Sequence, residues 1–405
     1  GDYTISVTTP FEKIEKTLDF EILPNPVLTS IEPLKGYVGA VVTVVAENLG
    51  RIDKEDIQMM FGETPATDIT ITGGNTFEVK VPSLTTFGDI PLSMTIHGVE
   101  MNMGGYAAFE ILASPVITSV ETDNKFSSKA VQVGNTVTIK GTGFRNSTIS
   151  SATFGGQDLN YTVVSDTKIT ASVSEQCAEG EDVITLKFDD VVVDVVSGDK
   201  LNMLKAGSDI SDYILTNVKQ PFESKEGKTS GHCTPVGWKF NYGAGNDGFC
   251  HNESEIEMPG EGLYMNDQGG LLVIQSGWEG RSKKMNGKMF QIFNIPQGIY
   301  DVVIDVAELA TNGGGRKKAG LFISKGGEEQ TPNMDASGNW TENTNLLKSV
   351  DFYMPGETYS ENYKDQRFVI ENLTIDYEGE TTLGFAVHFD SNRALKISSI
   401  KVLLK

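Results

Sequence analysis

The sequence predicts an all-β protein, with tandem small antiparallel sandwiches followed by a larger β-sandwich of jelly-roll type. Three observations carry that prediction. Apolar and polar residues alternate in segment after segment, an internal repeat recurs after 89 residues, and the repeat stops near residue 207, where Gly, Asn and aromatic residues become more frequent. Period two is the spacing at which one face of a strand is buried. No long helical pattern interrupts it.

The repeat sets the order of the first half. Pro26-Val27-Leu28-Thr29-Ser30-Ile31-Glu32 returns as Pro115-Val116-Ile117-Thr118-Ser119-Val120-Glu121, and Phe20-Glu21-Ile22-Leu23 returns as Phe109-Glu110-Ile111-Leu112. Gly39-Ala40-Val41-Val42-Thr43-Val44 corresponds to Gly134-Asn135-Thr136-Val137-Thr138-Ile139, and Met60-Phe61-Gly62 to Thr153-Phe154-Gly155. Residues 24–113 and 114–207 therefore read as two copies of one module, and residues 1–23 as the last strands of a preceding one. Within the copies Phe77, Val79 and Val81 alternate with Glu78 and Lys80, and Val137 and Ile139 with Thr138 and Lys140. Strands of this kind between Gly and Pro turns fit a sandwich of about 90 residues.

Pro-x-[Leu/Ile]-Thr-Ser-[Ile/Val], Gly-x-x-Val-Thr-[Val/Ile] and Lys140-Gly141-Thr142-Gly143-Phe144 resemble the IPT/TIG family of immunoglobulin-like domains. The first copy departs from that pattern at Glu47-Asn48-Leu49-Gly50. The resemblance implies a fold and the role of a spacer, since such modules serve many functions.

Residues 208–405 read as one larger domain. Tyr300, Val302, Ile304 and Val306 alternate with Asp301 and Asp305, Leu383, Phe385, Val387 and Phe389 with Gly384 and His388, and Leu395 to Leu404 reads as a closing strand. Pro296-Gln297-Gly298 reads as a turn joining two paired strands. Long segments at 230–262, 276–287, 311–318 and 327–365 interrupt the strands, and long loops on a rigid scaffold commonly carry function.

All three tryptophans, Trp238, Trp278 and Trp340, fall in such segments, as do Tyr242, Tyr359 and Tyr363. A sugar ring presents an apolar C–H face ringed by hydroxyls, so a glycan site needs flat aromatic platforms beside amide, carboxylate and guanidinium partners. Arg281 beside Trp278, and Asn339, Glu342 and Asn343 beside Trp340, supply such partners. The candidate glycan-binding residues are thus Trp278, Trp340, Trp238, Tyr359, Tyr363, Tyr242 and Arg281. The alternative for each tryptophan is a place in the core.

Asn286-Gly287-Lys288-Met289-Phe290-Gln291, continuing to Ile295-Pro296-Gln297-Gly298-Ile299-Tyr300, resembles a run in the C-terminal galactose-binding-like domains of Bacteroidetes surface glycan-binding lipoproteins. Tandem immunoglobulin-like modules before one binding domain is also their architecture. The resemblance implies a non-catalytic protein that captures polysaccharide or oligosaccharide at the cell surface. It further implies a lipid anchor in the outer membrane and partnership with a TonB-dependent importer. Gly1 in place of an initiator Met reads as a trimmed start, so that anchor would have preceded residue 1. The alternatives are a surface adhesin or scaffold with a protein partner, and a glycoside hydrolase.

Composition and motifs narrow these further. With 55 acidic against 33 basic side chains, a net charge of -22 repels a phosphate backbone and disfavours nucleic acid. No Gly-x-Ser-x-Gly elbow, phosphate loop or paired-histidine zinc motif is present, so no catalytic residue, cofactor or metal ligand is assigned. Asp335-Ala336-Ser337-Gly338-Asn339 spaces oxygens as a calcium loop does, yet Leu346 stands where its last acid belongs. A structural calcium elsewhere in the domain stays open. Cys233 and Cys250 read either as a disulfide or as two free thiols.

Overall fold

The computed structural model describes the chain except residues 1–2, 9, 11–12, 19–23, 226, 228–230, 234, 243–260, 266–269, 276–284, 312–316, 336–338, 353–362 and 390–392. It is all-β, and no helix among the described residues is long and apolar enough to cross a membrane. By contacts it divides into one unit of residues 1–122 and 133–202 and another of 123–132 and 203–405. Sequence alone leaves 123–132 inside the second repeat. In the structure Phe126 and Ala130 pack with the apolar core of the second unit, beside Leu204 and Ile210.

In the first unit Tyr3–Thr8 and Lys13–Leu18 form an antiparallel pair. In the first module Val41–Glu47 lies between Val27–Glu32 and Thr76–Lys80, and Gly88–Ile96 pairs with Ile57–Phe61 and Ala108–Ile111 in a second sheet. Alternate residues point inward, so Val42, Val44 and Ala46 share a core with Met59, Phe61, Met94 and Phe109. The Phe61 and Phe109 rings meet edge to face at 5.4 Å. The second module repeats this plan with Val137–Thr142 between Val116–Thr122 and Lys168–Ser172.

The register explains why the two copies differ in sequence at one corner. Val27 pairs with Glu47 and Val116 with Thr142, which aligns Ala46 with Gly141, Asn48 with Gly143 and Leu49 with Phe144. Asn48 and Gly143 both adopt positive φ, 61° and 76°, a region open to Gly and tolerated by Asn. Leu49 and Phe144 are each 1% exposed and plug the same corner. A Cβ at Gly141 would lie 2.4 Å from the Phe144 ring and 2.0 Å from the Val116 carbonyl oxygen. The Val116 carbonyl and the Phe144 ring together demand glycine at 141, whereas Ala46 stands at the equivalent position beside the smaller Leu49.

The strands of the second unit are β1 (Gly231–Cys233), β2 (Lys239–Tyr242), β3 (Glu261–Met265), β4 (Leu271–Gln275), β5 (Met285–Asn294) and β6 (Gly298–Thr311). They continue as β7 (Lys317–Lys325), β8 (Leu346–Asp351), β9 (Tyr363–Ile375), β10 (Glu380–Phe389) and β11 (Arg393–Leu404). One sheet runs β1-β3-β4-β11-β6-β9 and the other β2-β5-β10-β7-β8. Leu321, Leu383, Phe385 and Val387 of the second sheet meet Tyr300, Val302, Ile304 and Ile400 of the first. The Pro296 turn does not join paired strands as expected. It carries the chain from β5 in one sheet to β6 in the other. Buried Ile295 and the Tyr300 hydroxyl, which donates to the Pro296 carbonyl at 2.7 Å, hold this arch. Burial pushes the Tyr300 phenol up to about 12.

The outward residues of β6 form a charged ladder. Asp301 meets Lys405 at 2.7 Å, Asp305 takes Arg367 through two hydrogen bonds of 2.6 and 3.0 Å and Ser399 at 2.7 Å, and Glu308 meets Lys396. Arg367 and Lys405 hold the Asp305 and Asp301 carboxyls below their ordinary value of 3.8. A depressed carboxyl contributes its full stabilisation above its unfolded value, and that contribution is lost as pH falls through the lower, folded value. Asp305→Asn should therefore cost about 1 kcal/mol or less near neutrality, because Arg367 is largely exposed. The cost should shrink as pH falls below the ordinary carboxylate range, where Asp305 takes up its proton. Thermal unfolding of both proteins across this range checks it, and an equal deficit at both ends would assign the loss to something other than the ion pair.

Candidate functional site

The outer face of the β2-β5-β10-β7-β8 sheet is built in rows fixed by strand register. Lys288, Ala386, Gly320 and Asp351 lie side by side across β5, β10, β7 and β8, and Phe290, Gly384, Phe322 and Ser349 form the next row. The two glycines make room for rings. A Cβ on Gly384 would lie 2.5 Å from the Phe290 Cβ and 2.7 Å from the Phe322 ring, and one on Gly320 would lie 2.7 Å from Trp340 Cζ2. Phe290, Phe322, Met334 and Ala386 make a small apolar cluster there, with Trp340, Ile292 and Leu346 packed against it.

Trp340 reaches this face on a pair of short segments between β7 and β8. Asn333 and Thr341 exchange hydrogen bonds of 2.9 and 2.8 Å, Met334 faces Trp340 across an antiparallel bridge, and the Asp335 N–H donates to the Asn339 carbonyl at 2.8 Å. The Asn343 amide closes the base on the Gln330 carbonyl at 2.9 Å. The indole edge meets Phe322 at 6.1 Å and 70°, and its N–H donates to Asp351 Oδ1 at 2.7 Å. Trp340 is half-buried and Asp351 is exposed. The ring is thus fixed in position, with part of its surface in solvent beside a carboxylate that accepts hydrogen bonds.

Two further polar groups border this patch. His388 is 8% exposed and stands opposite half-exposed Lys318, one row from Gly320. Lys288 is 7% exposed, and its ammonium donates to the Thr331 carbonyl at 3.3 Å and to the Thr331 hydroxyl. Burial pushes this ammonium below the ordinary lysine range, with the charge of Glu328 opposing the shift. Among the described residues no cluster of His, Cys, Asp and Glu could hold a metal ion.

The expected site residues separate into three groups. Trp340 lies on the outer face. Trp238 and Tyr363 are corrected to the core, at 2% and 7% exposure. Trp238 stacks on Phe385 at 5.9 Å and donates its N–H to the Asn217 carbonyl at 3.0 Å, while Tyr363 opens β9 opposite Leu309. Trp278, Arg281, Tyr359 and Cys250 lie outside the described residues, as do the side chains of Tyr242 and Cys233, although these two belong to β2 and β1. Sequence reasoning missed Asp351, Phe322 and Lys288. For the first two the available signal was glycine at mid-strand in Ala319-Gly320-Leu321 and Leu383-Gly384-Phe385, where a close neighbour approaches the sheet.

The first-unit modules belong to a known class. A family model for the IPT/TIG domain matches residues 26–110 and 115–195, and these two modules are IPT/TIG domains. Comparison with curated proteins finds no match. Among solved structures the chain is similar to SGBP-B from a complex xyloglucan utilization locus in Bacteroides uniformis, at 13% identity and a TM-score of 0.22, over 94% of this chain and 100% of that one. It is also similar to the surface glycan-binding protein PbSGBP-B from Prevotella bryantii, at 13% identity and a TM-score of 0.20, over 95% and 98%. A third is SGBP-B of the Bacteroides ovatus mixed-linkage glucan utilization locus, at 13% and 0.20, over 99% and 83%. Superpositions this loose assign no residue its role.

The two described tryptophans should respond oppositely to truncation. Trp238→Ala opens a hole in the core and leaves the Asn217 carbonyl without its donor, so it should cost about 3–5 kcal/mol of stability. Trp340→Ala should cost clearly less. Denaturant unfolding of both variants measures the difference, and equal losses would mean that Trp340 is a core residue too.

Proposed function

We propose that the protein is a non-catalytic polysaccharide-binding protein of the cell surface, in which the C-terminal β-sandwich captures glycan for an outer-membrane uptake system. The observation that carries the reading is Trp340, a half-exposed indole locked by Asp351 and Phe322 on the outer face of a sheet. An immobilised ring meets the C–H face of a pyranose with little loss of side-chain entropy, and the Asp351 carboxylate beside it accepts hydrogen bonds from hydroxyls. The pair of IPT/TIG modules supports a spacer between anchor and binding domain. The 286–300 run supports the lipid anchor and the TonB-dependent importer through its resemblance to surface glycan-binding lipoproteins.

Electrophoresis of the full chain through gels containing plant, fungal and host polysaccharides, xyloglucan and mixed-linkage glucan among them, tests this function. At least one glycan should retard the chain. Trp340→Ala should weaken that binding by about 2 kcal/mol, roughly thirtyfold, as for an interface hot spot. Undiminished retardation of a folded Trp340→Ala variant moves the site elsewhere. New reducing ends in the incubated glycan would make the protein a hydrolase, and capture of a protein alone would make it an adhesin.

A further inference from the structure

We infer that Lys288 is a positioning residue for the Trp340 platform: its buried ammonium pins the root of the segment that carries the indole. The inference rests on the glycan-binding reading of Trp340. Lys288 projects from β5 on the outer face, in the same row as Gly320 and Asp351, and the described residues supply it with no carboxylate within ion-pair distance. A lone buried cation is costly for folding, and an apolar side chain of equal length would suit the site better. What the ammonium provides is a tie. Both of its hydrogen bonds go to Thr331, whose hydroxyl passes one on to the Glu328 carbonyl at 2.6 Å. Two residues further on, Asn333 begins the pairing with Thr341 that sets Trp340 over Gly320.

The indole is thus located from both ends of its segment. Asp351 holds the N–H directly, and Lys288 holds the strand opposite Trp340 through Thr331. Losing the second tie lets residues 331–335 shift along the sheet, and the ring shifts with Met334. A platform displaced by about 1 Å no longer matches its ligand, so the effect should appear in binding before it appears in folding.

Lys288→Met in the full chain separates this role from a structural one. Acrylamide quenching of Trp340, read as the difference between each protein and its Trp340→Phe counterpart, needs no glycan and should rise. The melting temperature should hold or increase, because a buried charge has been removed. Affinity for the polysaccharide that retards the chain should fall by about tenfold, as when a supporting contact is lost. A structural lysine would instead lower the melting temperature and leave quenching per folded molecule unchanged, which overturns the inference. If Lys288→Met fails to fold, Thr331→Val must show the same rise in quenching. Raised quenching with unchanged affinity would uphold the tie and overturn the placement of the glycan on Trp340.

Discussion

The outer surface of the second sheet depends on two absent side chains. β10 is the central strand of that sheet, and Thr382, Ala386 and His388 on its outward side are buried, as are Leu383, Phe385 and Val387 on its inward side. An antiparallel sheet that faces solvent on one side would leave those outward residues wet. Here Gly384 admits the Phe290 Cβ and the Phe322 ring, and Gly320 admits Trp340. Any β-carbon at either position occupies space that an aromatic ring already fills. The cluster of rings, the segment lying across it and the half-exposed indole all follow from that constraint.

The two outer faces of the sandwich consequently differ in kind. Over β6, charges satisfy one another in Asp301–Lys405, Asp305–Arg367 and Glu308–Lys396, with the Ser399 hydroxyl also donating to Asp305. Groups so paired would have to give up good partners to take a ligand. On the opposite face the carboxylate of Asp351 is used to orient a ring, and the ammonium of Lys288 to hold a segment. The second arrangement prepares an apolar surface, which is what a neutral, ring-shaped ligand requires. It also suits a chain with a net charge of -22, whose field is unfavourable for anionic partners.

Much of this fold was legible because period two is a direct consequence of pleated geometry. The strands through Tyr300–Val306, Leu383–Phe389 and Leu395–Leu404 stand where alternation puts them. The Asn48-Leu49-Gly50 departure looked like a lapse in the repeat, yet Asn48 and Leu49 repeat the geometry of Gly143 and Phe144 with a smaller plug. Pairing across turns was less legible: Pro296-Gln297-Gly298 has the composition of a hairpin turn, and nothing local distinguishes it from an arch between sheets. The tryptophans were ambiguous for a similar reason. Trp238 and Trp340 both sit among Gly, Asn and polar residues, and only long-range partners, Phe385 for one and Gly320 for the other, decide which is core. Lys288 could not be found from sequence, because its burial depends on Thr331, 43 residues away.

The most direct test of the account is a crystal structure of the chain with a bound oligosaccharide from any glycan that it retains. A sugar ring lying against the exposed surface of Trp340, with a hydroxyl donating to Asp351, is the predicted result. Sugar bound over the Asp305–Arg367 ladder or on an IPT/TIG module, with Trp340 untouched, would contradict it.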